Sequence, residues 1–398
     1  MTPVNNISRD TMTPRDTAKG LPPLDVRGID VSSLAEVEAH GGRFYHDGQE
    51  SDLLEIAAGN GVNLVRLRLW VNPYDAAGQG YLGGGNDLET DLALARRATS
   101  HGMQIMVDLH YSDFWTDPRK QVLPREWKWT GQDLSELVLT VNRYTTDVLG
   151  AFLRAGVVPS RVQVGNEITN GMLWPLGQLP RHDDRAHVRP GATRHQEAAA
   201  FDALALLVRA GTTAVRRTTP DARVCVHLDD GGDTALYQHW LDQMLQRGLD
   251  VDEVGLSYYP YWHGSLDDLS TTMGHIAGRY GLDVVVLETA YGASTRSHGP
   301  ATVLNEELVQ AGGYPATPEG QLRYLTDLRD RVASVPGGHG RGLVYWEPAW
   351  LAVPGTSWAS QAGMRYGDDV APAGPSWANQ ALFDDNGQAL PAWQVFRP

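Results

Sequence analysis

The stretch R-V-Q-V-G-N-E, residues 161–167, begins as a buried strand and stops on a carboxylate. An apolar strand gains nothing from an acid at its tip, because desolvating an unpaired carboxylate costs several kcal/mol. A second run, V-V-V-L-E-T at 284–289, behaves the same way with Glu288. Working outward, further strand-like strings are V-R-G-I-D-V (26–31), V-N-L-V-R-L-R-L (62–69), M-Q-I-M-V-D-L-H (103–110), R-V-C-V-H-L (223–228), V-G-L-S-Y-Y (254–259) and G-L-V-Y-W-E (342–347). Helical patterns lie between them, such as L-E-T-D-L-A-L-A-R-R-A (88–98) and the apolar-periodic run at 201–215. Eight strands alternating with helices predict an α/β architecture, a (β/α)8 TIM barrel, as a single domain over residues 25–398. A doubly wound sheet is the other reading, but it carries a glycine fingerprint after its first strand, and none stands there. Gly83, Gly84 and Gly85 fall in a long loop before a helix and read as a turn. Residues 1–24 are polar, hold several Pro and Thr, show no period, and are expected to form a disordered leader.

Composition narrows the partners. A formal net charge of −15 argues against nucleic acid and anionic membranes, which repel it, and leaves an uncharged sugar polymer open. No apolar run approaches the roughly 20 residues of a membrane span, so no membrane association is expected. The start, M-T-P-V-N-N-I-S-R-D, shows no signal peptide. The lone cysteine, Cys225, cannot form an internal disulfide and reads as a core thiol. Both features fit a cytoplasmic protein, or a secreted one whose leader has been removed. A monomer is expected.

In barrels of this kind the active site lies at the C-terminal ends of the strands. Strand two ends with Arg66 and Arg68, two apart and on one side. Strand three ends with Asp108 and His110 and runs on into Tyr111, Asp113 and Trp115. Strand four ends with Asn166 and Glu167, strand six with Tyr258 and Tyr259, strand seven with Glu288, and strand eight with Tyr345, Trp346 and Glu347. Glycoside hydrolysis needs two carboxyl groups, and a separation of roughly 5 Å gives retention. Glu288 reads as nucleophile, its pKa expected low beside an arginine of strand two. Glu167 reads as acid/base with a raised pKa, and Asn166 can bond a sugar 2-hydroxyl. Glu347, just before Pro348, is a third acid at a strand end.

Other chemistries find less support. His110 follows Asp108 by two, but no H-x-H or H-E-x-x-H pair exists, so no metal site and no cofactor are expected. His227, in V-H-L-D-D, reads as a core or supporting histidine, and no serine sits in G-x-S-x-G. Trp70, Trp115, Trp127, Trp129, Trp174, Trp262, Trp350 and Trp358 follow strands, as a groove that stacks sugar rings requires. His110, Asp113, Trp115 and Tyr259, with Trp346 and Trp350, are the residues expected to shape the sugar site.

Seven ordered blocks carry a resemblance. R-G-I-D-V-S-S-L, G-V-N-L-V-R-L-R-L-W-V-N-P, D-L-H-Y-S-D-F-W-T-D-P, V-Q-V-G-N-E-I-T-N-G, G-L-S-Y-Y-P-Y-W-H-G, V-L-E-T-A-Y-G and Y-W-E-P-A-W together resemble glycoside hydrolase family 53, the arabinogalactan endo-β-1,4-galactanases. The resemblance runs from about Arg27 to Phe396. It implies a barrel whose acid/base and nucleophile end strands four and seven, here Glu167 and Glu288, with Arg66 matching the arginine beside the nucleophile. It also implies the substrate, β-1,4-galactan of pectin or galacto-oligosaccharides, cut with retention. Bacterial relatives often hold calcium through a D-x-D-x-H-x-N loop after the nucleophile strand. Here that loop reads G-A-S-T-R-S-H-G-P (292–300), with His298 but no acids and with Arg296 to repel a cation, so calcium is not expected. The alternatives are a related retaining enzyme acting on another β-linked polymer, or a non-catalytic galactan-binding barrel, which would not need two acids.

Overall fold

The computed structural model describes residues 21–180 and 193–398. Eight parallel strands close into a barrel: β1 (Val26–Asp30), β2 (Leu64–Leu69), β3 (Gln104–Leu109), β4 (Arg161–Val164), β5 (Arg223–Leu228), β6 (Glu253–Ser257), β7 (Asp283–Thr289) and β8 (Gly340–Trp346), with β8 bonded back to β1. The sequence expectation holds to within two residues at every strand end. Of the expected leader, residues 1–20 lie outside the described residues. Leu24 is buried in the core, and its carbonyl accepts from Arg27 Nη1 at 2.8 Å.

Period-2 alternation sorts each strand into two cores. On β2, Val65, Leu67 and Leu69 face outward into the layer shared with the helices. Leu64 faces inward and joins Val26, Met106, Cys225, Val285, Leu287 and Val344 in a separate apolar floor inside the barrel. Arg66 and Arg68 follow Leu64 on that inner face, which is why two buried arginines stand above the floor. Cys225 is part of the floor, in keeping with a core thiol.

The helix Arg194–Thr218 is long and apolar enough to cross a membrane by length and composition, which the sequence expectation overlooked. Its apolar residues, among them Phe201, Leu204, Leu207 and Val208, are buried in the outer core. A capping box of Thr193 and Gln196 starts it. At the opposite end of the barrel from the site, Glu253 lies between Arg161 Nε at 3.0 Å and Arg223 Nε at 2.8 Å, an ion network suited to stability.

Strand β7 carries the irregularity that matters for function. Leu256 pairs with Val286 but Ser257 pairs with Glu288, so one extra β7 residue is accommodated there. On the other edge Leu343 pairs with Val286 and Tyr345 with Thr289, a matching slip. Strict alternation from Val285 and Leu287 would turn Glu288 outward; the bulge turns it back into the barrel beside Ser257. Leu287 then fills the space next to Gly255, where an added Cβ would lie 2.2 Å from Leu287 Cδ1 and 3.3 Å from Cys225 Sγ. Gly255→Ala is therefore expected to overpack the barrel interior and cost ~1–3 kcal/mol. A guanidinium unfolding curve checks it: the midpoint should fall at unchanged slope, and an unaltered midpoint would refute the account.

Candidate active site

Each strand delivers its polar residue to the C-terminal mouth by register. Asp30 pairs with Arg66, Arg68 with Asp108, Asp108 with Gln163, and Ser257 with Glu288. Beyond β4 the chain turns at Gly165 (φ 83°), where a Cβ would meet Ile168 Cγ2 at 2.6 Å. Glu167 then adopts a left-handed conformation (φ 48°). Tyr111, Asp230 and Glu347, also just past strand ends, share that conformation at φ 51°, 49° and 57°. Strain of this kind gathers at functional sites, held by surrounding contacts.

Arg66 is the hub. Its Nη1 reaches Asp30 Oδ2 at 2.8 Å, and its Nη2 reaches Asp108 Oδ2 at 2.8 Å and Glu288 Oε1 at 3.0 Å. The same guanidinium donates through Nε to Gln163 Oε1 and through Nη2 to Asn166 Oδ1, both at 3.0 Å. Tyr259 OH donates to the other oxygen of Glu288, Oε2, at 3.4 Å. Glu167 is held from β6, with Ser257 Oγ donating to its Oε1 at 2.6 Å. Because Ser257 is the register partner of Glu288, the two acids meet across one residue.

Their electrostatics differ. Burial and the charges of Glu288 and Asp229 push the Glu167 carboxyl well above the usual glutamate range. Burial pushes Glu288 up as well, to about 7, with Arg66 pulling it back and Asp108 and Asp30 pushing it on. The low pKa expected for Glu288 is thus corrected: one guanidinium is shared among three carboxylates in a dry site. Asp108 stays below its ordinary value despite burial, because Arg66 and His110 face it. His110 itself is lowered by burial, and both ring nitrogens are engaged, Nε2 with Asp108 Oδ2 at 3.0 Å and Nδ1 with Thr116 Oγ1 at 2.9 Å.

The third strand-end acid, Glu347, has a different task. It binds Arg68 Nη2 at 2.8 Å and accepts from the Ser33 hydroxyl and backbone. Arg68 in turn lies 4.1 Å from the centre of the Trp115 ring and 5.8 Å from that of Trp346, a cation–π contact that backs both aromatics. Trp346 is half-buried, 5.9 Å from Trp115 and 4.7 Å from Trp377 between ring centres. Trp262, 44% exposed, continues this aromatic wall 6.2 Å beyond Trp377.

Arg66, His110, Asn166, Glu167, Tyr259 and Glu288 therefore come together in one site, flanked by Trp115 and Trp346. Two expected sugar contacts do not face the groove. Trp350 is only 2% exposed and packs behind Trp346 at 6.2 Å. Asp113 is fully buried and accepts from the backbone of Asn72 at 3.1 Å and of Arg125 at 2.9 Å, so it shapes a loop. Trp70 and Trp127 are buried too, which removes them from the expected platform. Asp30, Gln163 and Ser257 escape the sequence reading, although two-residue steps back along β1, β4 and β6 point to them. In the loop after β7, Arg296 Nη1 lies 2.5 Å and His298 Nε2 3.2 Å from the Asp385 carboxylate. Among the described residues no group of three or more His, Cys, Asp or Glu is arranged to hold a metal ion.

A pair of carboxyls, the half-buried Glu167 hydrogen-bonded to a hydroxyl and the buried Glu288 ion-paired to arginine, at the mouth of a (β/α)8 barrel defines a glycoside hydrolase site. The profile of glycosyl hydrolase family 53 matches residues 26–396. The chain belongs to that family. It is 33% identical to an endo-β-1,4-galactanase of Bacillus subtilis (strain 168), over 94% of this chain and 85% of that protein. It is equally 33% identical to an arabinogalactan endo-β-1,4-galactanase of Humicola insolens, over 94% of this chain and 99% of that one. Among solved structures, the family 53 catalytic domain of Ignisphaera aggregans superposes with a TM-score of 0.84 at 34% identity, covering 96% of this chain and 98% of the other.

Proposed function

We propose that this chain is an endo-β-1,4-galactanase that hydrolyses galactan with retention of configuration. The observation that carries the reading is the meeting of Glu167 and Glu288 across Ser257, with Arg66 on the latter alone. The galactanase activity by which the relatives from Bacillus subtilis and Humicola insolens are named supports the substrate. Glu167 protonates the departing sugar oxygen while Glu288 attacks the anomeric carbon; Glu167, now ionised, then takes a proton from water as the glycosyl–enzyme ester is hydrolysed. Asn166 has one amide hydrogen committed to Thr116 O at 2.9 Å, which leaves the other for a sugar 2-hydroxyl. Trp346 and Trp115 supply flat apolar faces for the sugar rings.

Linear β-1,4-galactan tests the reading. Early digests should contain galacto-oligosaccharides of mixed length, with the β-anomer appearing first by proton NMR. The α-anomer first, or cleavage of a different β-linked polymer in place of galactan, overturns it. The same assay should give a bell-shaped pH profile for kcat/KM. Activity rises as Glu288 ionises and falls as Glu167 loses its proton, so the acid limb is expected above the ordinary glutamate range. An acid limb near pH 4 would contradict the burial of Glu288.

A further inference from the structure

Behind Glu167 stands a chain of neutral groups. Ser257 Oγ lies 2.6 Å from Glu167 Oε1 and 2.9 Å from His227 Nε2. His227 Nδ1 in turn faces Asn166 Oδ1 at 2.9 Å and Gln163 Nε2 at 3.2 Å. Both amides are oriented by other contacts. Gln163 Oε1 accepts from Arg66 Nε at 3.0 Å, and Asn166 accepts from Arg66 through Oδ1 while donating through Nδ2 to Thr116 O. Gln163 Nε2 donates one hydrogen to Gly165 O at 3.0 Å, and its second has two acceptors at the same 3.2 Å, Asn166 Oδ1 and His227 Nδ1.

Ser257 owns a single hydrogen for two neighbours. If Glu167 is ionised, that hydrogen goes to Oε1, and His227 must present Nε2–H to the serine oxygen. Nδ1 is then bare and takes the second Gln163 hydrogen. If Glu167 carries its proton on Oε1, it donates to Ser257, Ser257 donates to Nε2, and Nδ1–H bonds to Asn166 Oδ1. The second Gln163 hydrogen then turns to Asn166. Both arrangements give every hydrogen of the chain an acceptor, and His227 is neutral in each; in the ionised one the bare Nδ1 faces Asn166 Oδ1 at 2.9 Å, a contact that must lengthen as Gln163 takes over.

We infer that Ser257 and His227 are positioning residues that form an amphoteric adaptor, keeping Glu167 Oε1 hydrogen-bonded in both of its charge states, with the imidazole tautomer following the carboxyl. The proton balance is simple. Three protons become two: the Glu167 proton moves onto Ser257 Oγ, the serine proton moves onto His227 Nε2, and the proton released to solvent is the one that leaves Nδ1. A residue that must act first as acid and then as base needs a partner that tolerates both forms, which a fixed donor such as arginine does not. The inference rests on the reading of Glu167 as acid/base. Titratable and charged groups facing Glu167 are Glu288 on β7, Asp229 beyond β5 and Asp117 beyond β3; those facing His227 are Arg66 on β2 and Asp108 and His110 on and beyond β3.

Nitrogen-15 NMR of the histidine-labelled, substrate-free enzyme tests it, with the His227 signals assigned by their loss in His227→Gln. The ring should stay neutral while its protonated nitrogen changes from Nδ1 to Nε2 through the alkaline limb of the activity profile. A ring that holds one tautomer across that limb overturns the inference. Ser257→Ala should lower kcat about 10- to 100-fold with little change in KM, since the acid loses its alignment. It should also move the alkaline limb to higher pH, because a donor to the carboxylate is gone. Ser257→Thr, which keeps the hydroxyl, should restore the limb. Wild-type limbs in Ser257→Ala, beside an inactive Glu167→Gln, sink the adaptor alone. An active Glu167→Gln on galactan sinks the acid/base reading instead.

Discussion

Replacing Glu288 by alanine is expected to lower kcat/KM on linear galactan by more than about 10³-fold, a barrier increase of at least ~4 kcal/mol. The covalent path vanishes with the carboxylate, and Tyr259 at 3.4 Å from Oε2 is left without an acceptor there. The fold should survive, since Arg66 keeps Asp30 and Asp108, each at 2.8 Å. Removing one of three acids around a single guanidinium also relieves repulsion, so the melting temperature should hold or rise. Initial rates over a range of galactan concentrations, with a thermal melt as control, give the answer. Turnover within tenfold of wild type at an intact melt would sink the assignment of Glu288.

The second large effect concerns Arg66. Its guanidinium is buried and offsets Asp30, Asp108 and Glu288 at once. Arg66→Met leaves these acids uncompensated in a dry site, and breaking a buried ion pair on one side costs about 3–5 kcal/mol. The carboxyls respond by binding protons. The sign follows from the contacts: Arg66 lowers the Glu288 pKa, so its loss raises that pKa and moves the acid limb of the pH–rate profile upward. Denaturant unfolding and the pH dependence of kcat/KM together check the two halves. Arg66→Lys keeps the charge but not the fork that reaches Gln163, Asn166 and the acids together, so it should recover stability more than rate. Wild-type stability in Arg66→Met would show that the acids are neutralised by other means.

Much of the fold was legible because βα units repeat a local signal. Strand strings such as R-V-C-V-H-L at 223–228 are apolar and β-branched, and their boundaries needed no distant contact. The acids were legible for the opposite reason, as residues that local structure does not explain. The aromatics misled where exposure mattered. Trp350 and Trp346 stand four apart on the same strand end and loop, yet one is buried and the other lines the groove. Composition and spacing do not encode which face a loop covers.

By itself, then, the sequence determined a barrel of eight strands and two glutamates at its mouth, since alternation and burial cost are local properties. Only the tertiary structure decided how those glutamates work. The extra residue in β7 that turns Glu288 inward shows itself through pairing with β6 and β8. Arg66 shared among three acids, Glu347 diverted to Arg68, and Ser257 placed on Glu167 from 90 residues away all arise from closure of the sheet. Such contacts join side chains of different strands, and no period along the chain records them.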